Sequence, residues 1–170
     1  MARFFIKTDG ASRGNPGPSG YGCVIENEDG LVIAKISGYI GEATNNVAEY
    51  LAAKHGIEGL SVLLNEEAGS PPELTEGRWI GLNSLQDDVT LFSDSELLVK
   101  QMTGEYAVKN EDLKKLHSQL NRICEDNFQS VKFMHIRRGL NSLADSLAND
   151  GIDDYLRLGR QQYVLTTTEE

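Results

Sequence analysis

The chain has 170 residues, which fits one domain with room for a sizeable insertion. Hydrophobic residues make up 39% and charged residues 25%, enough to bury a core, so wholesale disorder is excluded. The net charge of −10, from 16 basic and 26 acidic residues, argues against an ordinary basic nucleic-acid binder. It describes the mean field and not one face, because carboxylates that hold metal ions reverse the local sign and let an acidic protein meet phosphates.

No apolar run approaches 18 residues, so no membrane-spanning helix is expected. The N-terminus lacks the charged-then-apolar pattern of a leader. Cys23 and Cys124 form neither a disulfide framework nor a CxxC metal site. They read as two reduced thiols of a cytoplasmic protein, with a single bridge as the alternative.

Residues 3–9 alternate apolar and polar side chains and read as a strand. Residues 10–22 hold five glycines and two prolines and read as a loop. Residues 21–27 and 31–40 read as two further strands joined at Glu28-Asp29-Gly30, giving a hairpin. From 45 to 64, Val47, Tyr50, Ala53, Ile57, Leu60 and Leu64 recur at helical spacing, with Thr44 or Asn45 as N-cap. Residues 65–88 carry Glu, Gly, Ser and Pro-Pro without a period and read as a surface insertion, flexible at least over 65–77. Within it, Arg78-Trp79-Ile80 is expected to fold back onto the body, with Trp79 either anchoring the loop or stacking on a base or ribose.

Residues 89–94 form a buried-looking strand, and 95–103 a short helix ended by Gly104. Asn110 caps the next helix, which has Glu111 and Asp112 in its first turn and a stripe of Leu113, Leu116, Leu120 and Ile123. Residues 131–136 are a fifth strand and 141–149 a helix. The tail, 151–170, carries Tyr155, Leu156, Leu158, Tyr163, Val164 and Leu165 and is expected to dock in part, its last five residues staying loose. The order β-β-β-α-β-α-α-β-α predicts an α/β domain over 1–150. Its sheet is five-stranded and mixed: a three-strand antiparallel meander plus two parallel strands, flanked by helices.

Asp9 ends the first expected strand and Asp94 the fourth. If those strands run parallel, both carboxylates emerge at the carboxyl edge, where α/β sheets place ligands. Glu49 lies one turn into the first long helix near its apolar stripe, where a carboxylate is costly unless paired or metal-bound. Asp145 follows Asn141 by one turn, stacking the two side chains on one helix face. Four acids from four elements are what a two-metal phosphoryl-transfer site requires, and carboxylate ligands suit Mg²⁺ or Mn²⁺. On this logic alone the reading as ordinary surface acids, among the 26 the chain carries, is the stronger one.

The local sequences decide between these readings. Asp9-Gly10-Ala11-Ser12-Arg13-Gly14-Asn15-Pro16-Gly17-Pro18 followed by Gly20-Tyr21-Gly22 resembles the first signature of type 1 ribonuclease H. Thr44-Asn45-Asn46-Val47-Ala48-Glu49 resembles the second and Ser93-Asp94-Ser95 the third. The stretch from His135 to Asp145 is similar to the fourth, in the variety found in archaeal and many bacterial members. The resemblance covers roughly 3–150 apart from 65–88, and its motifs occur in the right order.

The resemblance implies the ribonuclease H-like fold and metal-dependent endonucleolytic hydrolysis of the RNA strand of an RNA–DNA hybrid, leaving 5′-phosphate and 3′-hydroxyl ends. It makes Asp9, Glu49, Asp94 and Asp145 the ligands of two Mg²⁺ ions, with Mn²⁺ a possible substitute. One ion activates the attacking water and the other stabilises the leaving 3′ oxygen. It makes Asn15, Asn45 and Asn46 contacts to the hybrid's minor groove, where 2′-hydroxyls both donate and accept. Thr44 becomes a contact to a DNA-strand phosphate.

Three features depart from the family. The loop before Asp145 lacks the histidine many members carry, and Arg138 stands there as a phosphate contact; His135, earlier, reads as structural. Glu96 replaces a common glutamine. The short form lacks a basic extension, so Lys100, Lys109, Lys114 and Lys115 are the nearest basic cluster, either a substrate contact or a solvated helix face. With so acidic a chain, modest and salt-sensitive affinity is expected. The partner implied is a hybrid met by a monomer, without a membrane.

Overall fold

A computed structural model of the chain describes residues 1–67, 69, 73–75, 78–80, 85–158 and 163–167, the segments 73–75, 78–80 and 163–167 by their backbone path. Strands β1 (Arg3–Ser12), β2 (Gly17–Asn27) and β3 (Val32–Ala43) form an antiparallel meander. Helix α1 (Asn45–Glu67) follows, then a short hairpin of β4 (Glu73–Thr75) and β5 (Arg78–Ile80). Strand β6 (Asp88–Ser93) runs parallel to β1, and β7 (Ser130–His135) parallel to β6. Between those two strands come α2 (Glu96–Thr103) and α3 (Glu111–Asn127); α4 (Ser142–Leu158) follows β7. A final strand, β8 (Tyr163–Thr167), pairs antiparallel with β3. The main sheet therefore reads β7-β6-β1-β2-β3-β8.

The expected mixed sheet of a meander plus two parallel strands is present, with a sixth strand added. The side-chain pattern of the tail does not reveal that the β3 edge offers unpaired backbone groups to it. Thr166 and Thr167, expected loose, belong to β8; residues 168–170, and the side chain of Trp79, lie outside the described residues.

Side chains alternate across β2 and divide the molecule into two layers. Tyr21 and Cys23 face α1: Tyr21 stacks on His55 at 4.0 Å between ring centroids, and the Cys23 thiol donates to Ala52 O at 3.2 Å. Burial drives the His55 imidazole down to about 4, so it packs there as a neutral ring. The core on this side gathers Ile6, Ile25, Ile36, Ile57, Leu60, Leu91 and Leu120, each contributing roughly 1.5–3 kcal/mol of burial. Gly22 faces the other way, onto α4. A Cβ there would lie 2.2 Å from Ala144 O and 2.6 Å from Ala148 N, both backbone atoms. At Gly10 a Cβ would lie 2.3 Å from the Ala48 carbonyl carbon of α1.

These close approaches explain why the loop expected over 10–22 is mostly strand, leaving only 13–16 as the turn. A glycine inside a strand costs roughly 0.5–1 kcal/mol. Here that cost is offset by letting a helix backbone ride directly on the sheet and bury Ala144, Ala148 and Ile152.

Element ends also differ from expectation. Helix α1 reaches Glu67 and β6 starts at Asp88, so the segment between ordered elements is 68–87 and not 65–88. Part of it forms the β4–β5 hairpin, whose second strand lies beside α3. Helix α4 does not stop at 149. It continues because Ile152 is buried and Tyr155 stacks on Tyr39 at 3.7 Å, so a division at residue 150 falls within a helix. No helix among the described residues is long and apolar enough to cross a membrane.

Candidate active site

The parallel ladder between β1 and β6 ends at the pair Thr8–Ser93. The next residue on each strand is an acid, Asp9 and Asp94. Asp9 does not end its strand, as the sequence suggested; β1 runs on to Ser12 against β2. After Asp94 the chain turns sharply, because Ser95 N–H donates to Ser93 Oγ at 3.0 Å and Ser95 Oγ caps α2 by accepting from Leu98 N–H at 3.2 Å. Asp94 is thereby aimed outward beside Asp9.

Glu49 arrives from α1. Thr44 is the cap of that helix, its Oγ1 accepting from Val47 N–H at 3.3 Å. One turn later the Glu49 carboxylate reaches across to β1, where Gly10 N–H donates to Oε2 at 3.2 Å. The close approach of α1 at Gly10 makes this reach possible. Ligand oxygens of Asp9, Glu49 and Asp94 all lie within 4.8 Å of one another.

Asp145 comes from the first turn of α4, where its N–H donates to Asn141 O at 3.1 Å. Asn141 itself does not stack beside Asp145 on an outer face. Its side chain is buried and donates from Nδ2 to Thr8 O at 2.8 Å, tying the start of α4 to the end of the β1 ladder. Asp145 remains exposed, within hydrogen-bond reach of Asp9.

The electrostatics follow from this crowding. Burial, then the neighbouring charges of Glu49 and Asp94, hold the Asp9 carboxyl far above the usual range. Burial and Asp94 push Glu49 up as well, against the Asp9 hydrogen bond, the Gly10 N–H and Arg138. Carboxylates this close cannot all ionise without added positive charge. An all-oxygen carboxylate set suits a hard divalent cation, so the residues present fit the metal the motifs imply.

The acids open into a hollow of about 430 Å³, lined also by Ser12, Asn45, Asn46, Ser95 and Arg138. Arg138 lies on a short 3-10 turn (Arg138–Leu140), 91% exposed, with Nε 3.8 Å from Asp94 Oδ2. The Asp94 side chain is only 9% exposed, but the long contact and the solvent around the guanidinium leave Arg138 free to move. Asn15, in the β1–β2 turn, accepts from Asn45 N–H at 3.0 Å through Oδ1, which leaves its amide donors pointing outward. Thr44 opens on a neighbouring groove shared with Glu42, Asp112, Lys115 and Gln119.

Lys109 stands exposed between α2 and α3 and does not line the hollow. Its neighbours are engaged: Lys100 pairs with Glu96 at 2.7 Å and sits over the Tyr106 ring, and Lys114 pairs with Glu111 at 3.1 Å. His135 places Nε2 3.2 Å from Asp94 O, next to the site but on its backbone side. Ser12, Ser95 and the inward role of Asn141 were not singled out from sequence. The N-cap spacing Ser95-x-x-Leu98 is the one signal that could have flagged any of them.

The reverse transcriptase-like family pattern matches residues 76–151. A ribonuclease H from Dinoroseobacter shibae is 30% identical over 169 residues, covering 89% of this chain and 92% of its own length. LC11-RNase H1, from compost and solved in complex with an RNA/DNA hybrid, is 38% identical with a TM-score of 0.74, over 90% of this chain and 99% of its own. The bifunctional protein Rv2228c of Mycobacterium tuberculosis is 37% identical over 87% of this chain. This chain spans only 35% of that relative's length. A near full-length match to a ribonuclease H, at this identity and with the same fold, places the chain in the type 1 ribonuclease H family.

Proposed function

We propose that this chain hydrolyses the RNA strand of RNA–DNA hybrids internally, leaving 5′-phosphate and 3′-hydroxyl ends. The observation that carries this is the convergence of Asp9, Glu49 and Asp94 within 4.8 Å at the floor of an open, asparagine-rimmed hollow. Asp9, Glu49, Asp94 and Asp145 are the catalytic acids and the ligands of two Mg²⁺ ions, with Mn²⁺ a possible substitute. Bound there, divalent ions supply a water of lowered pKa and positive charge against the phosphate in the transition state.

The remaining work belongs to the chain's own groups. The outward amide of Asn15, with Asn45 and Asn46, reads 2′-hydroxyls and base edges in the minor groove. Hybrid geometry enters through these contacts, since duplex DNA lacks the 2′-hydroxyl. Thr44 binds a DNA-strand phosphate through its hydroxyl and the α1 N-terminus. Arg138 swings between Asp94 and a substrate phosphate, and Lys109 adds a weak backbone contact. Glu96 is kept from repelling the substrate by its pairing with Lys100. The enzyme works as a cytoplasmic monomer.

The test uses one labelled RNA strand alone, in a hybrid with DNA and in duplex RNA, each with Mg²⁺ or with EDTA. Metal-dependent internal cuts in the hybrid, and none with EDTA, are expected; the duplex-RNA arm reads how narrow the substrate class is. A hybrid that is bound but stays whole with both Mg²⁺ and Mn²⁺ would make the chain a non-catalytic binding module.

A further inference from the structure

The fourth acid differs from the other three in how it is held. Asp145 is exposed, and its carboxylate is not among those converging within 4.8 Å. Asp9 lies within hydrogen-bond reach of it on one side, and α4 supplies a second hold. Asn149, one turn on, donates from Nδ2 to Asp145 O at 3.0 Å and to Asp145 Oδ1 at 3.4 Å.

An asparagine amide has two faces, and the wrong one would put an oxygen against the carboxylate. Arg13 decides which face Asn149 shows. Its guanidinium, in the β1–β2 turn, donates from Nη2 to Asn149 Oδ1 at 3.4 Å and from Nη1 to Asp153 Oδ1 at 2.6 Å. A guanidinium only donates, so Asn149 must turn its oxygen to Arg13 and its NH₂ to Asp145. Asp145, Asn149 and Asp153 are spaced four apart and form one ladder on the outer face of α4. Arg13 neutralises the far end of that ladder and keys the middle.

We propose that Asn149, keyed by Arg13, is the positioning residue for Asp145, and that this relay sets how tightly the hollow holds its divalent cation. The inference rests on the reading of Asp145 as a metal ligand. It also gives the arginine of the first motif a task distinct from touching the substrate. Outer partners of metal-binding carboxylates typically tune affinity by roughly 10- to 100-fold. Asp145 is one ligand of several, so the lower end is expected here.

The test measures thermal melting of the full chain across a MgCl₂ series, together with initial cleavage rates across the same series. Metal binding raises the melting temperature by mass action, which reads affinity without reading activity. Asn149→Ala should raise the Mg²⁺ midpoint about tenfold in both measurements, while the metal-free melt and the KM for hybrid stay unchanged. Arg13→Ala should shift the same midpoint less, and the double variant should match Asn149→Ala alone, because the two act in series.

Several results would overturn the relay. One is an unchanged Mg²⁺ midpoint in Asn149→Ala, with or without a lower metal-free melt. Another is an Arg13→Ala effect that adds fully to that of Asn149→Ala. A third is an Arg13→Ala variant that raises KM for hybrid and leaves the midpoint alone, which would make Arg13 a substrate contact. A parent chain that melts higher with Mg²⁺ yet leaves hybrid whole would break the proposed function, and the melting series would still decide the relay. A parent melt unmoved by Mg²⁺ and Mn²⁺ would overturn both the metal assignment and the relay.

Discussion

The sheet side and the helix side of the acid cluster are built differently. On the sheet side, Asp9 and Glu49 are buried, and Glu49 is fixed by the Gly10 N–H. On the helix side, Asp145 and Arg138 stand in solvent, held by side-chain contacts alone. The buried pair is preorganised at a cost: without a cation, desolvation and mutual repulsion oppose its charge. The exposed pair avoids that cost but has to be steered. The contrast teaches that the sheet side stores the need for a cation, and the helix side adjusts how well the need is met.

The contrast is broken most severely at Asp9. Asp9→Asn should lower hybrid cleavage at least about a thousandfold, which is about 4 kcal/mol of barrier. The same change should raise the metal-free melting temperature, since an amide is buried there without the proton uptake that the crowded Asp9 carboxyl requires on folding. Retained cleavage would take Asp9 out of the site.

The next largest effect should come from the contact that carries Asp145 to the sheet. In Gly22→Ala the new methyl meets α4 backbone at 2.2 Å, and neither element can give without displacing the other. A loss of roughly 1–3 kcal/mol in denaturant unfolding is expected. An unchanged midpoint would show that α4 sits further from β2 than described.

Proton linkage sharpens the comparison at intermediate size. Asp9 and Glu49 have folded pKa values raised above their unfolded ones. Between those values the native state holds more protons than the unfolded chain. Metal-free stability attributable to them is therefore fully present below the ordinary carboxylate range and is lost as pH rises through the folded values. Cation binding displaces those protons, so Mg²⁺ affinity should tighten with pH by up to about tenfold per unit for each proton released. Melts from pH 5 to 9 with and without Mg²⁺ check this; a metal-free melt that climbs with pH would refute it.

On the exposed side the changes should be small. Arg138→Ala should raise the KM for hybrid about threefold at low salt, with the difference shrinking as salt screens it, and leave the melt unchanged. Equal effects at low and high salt would deny a phosphate contact. Replacing residues 69–85 with a short glycine–serine linker should matter least: unfolding stays cooperative and cleavage stays within about twofold. Asp87 is kept because its carboxylate accepts from Ala2 N–H at 2.9 Å. A larger loss would give the β4–β5 segment a part in substrate binding.

The candidate site was largely legible in the chain because its chemistry is local. Asp9 with its glycines, Thr44-Asn45-Asn46 before Glu49, and Asp94 between serines are short motifs whose residue types carry the information. The caps at Asn110 and Thr44 were legible for the same reason, since a capping side chain acts within three residues. Gly10 and Gly22 misled a local reading, which takes glycine as a turn signal. What they accommodate is a helix backbone from Ala48 or Ala144, far along the chain. Asn141 misled it too, because helical spacing sets it beside Asp145 while the β1 carbonyl that holds it comes from Thr8.

Residue order and type point to the family, to the four candidate acids, and to the meander with its two parallel strands and the helices between them. All of these follow from patterns within a few residues or from motifs read one at a time. Packing alone settled that the glycine-rich stretch is strand, that α4 extends to Leu158, that β8 completes the β3 edge, and that Arg13 reaches Asn149. Each of those depends on a partner brought close by the sheet, and separation along the chain carries no trace of that proximity.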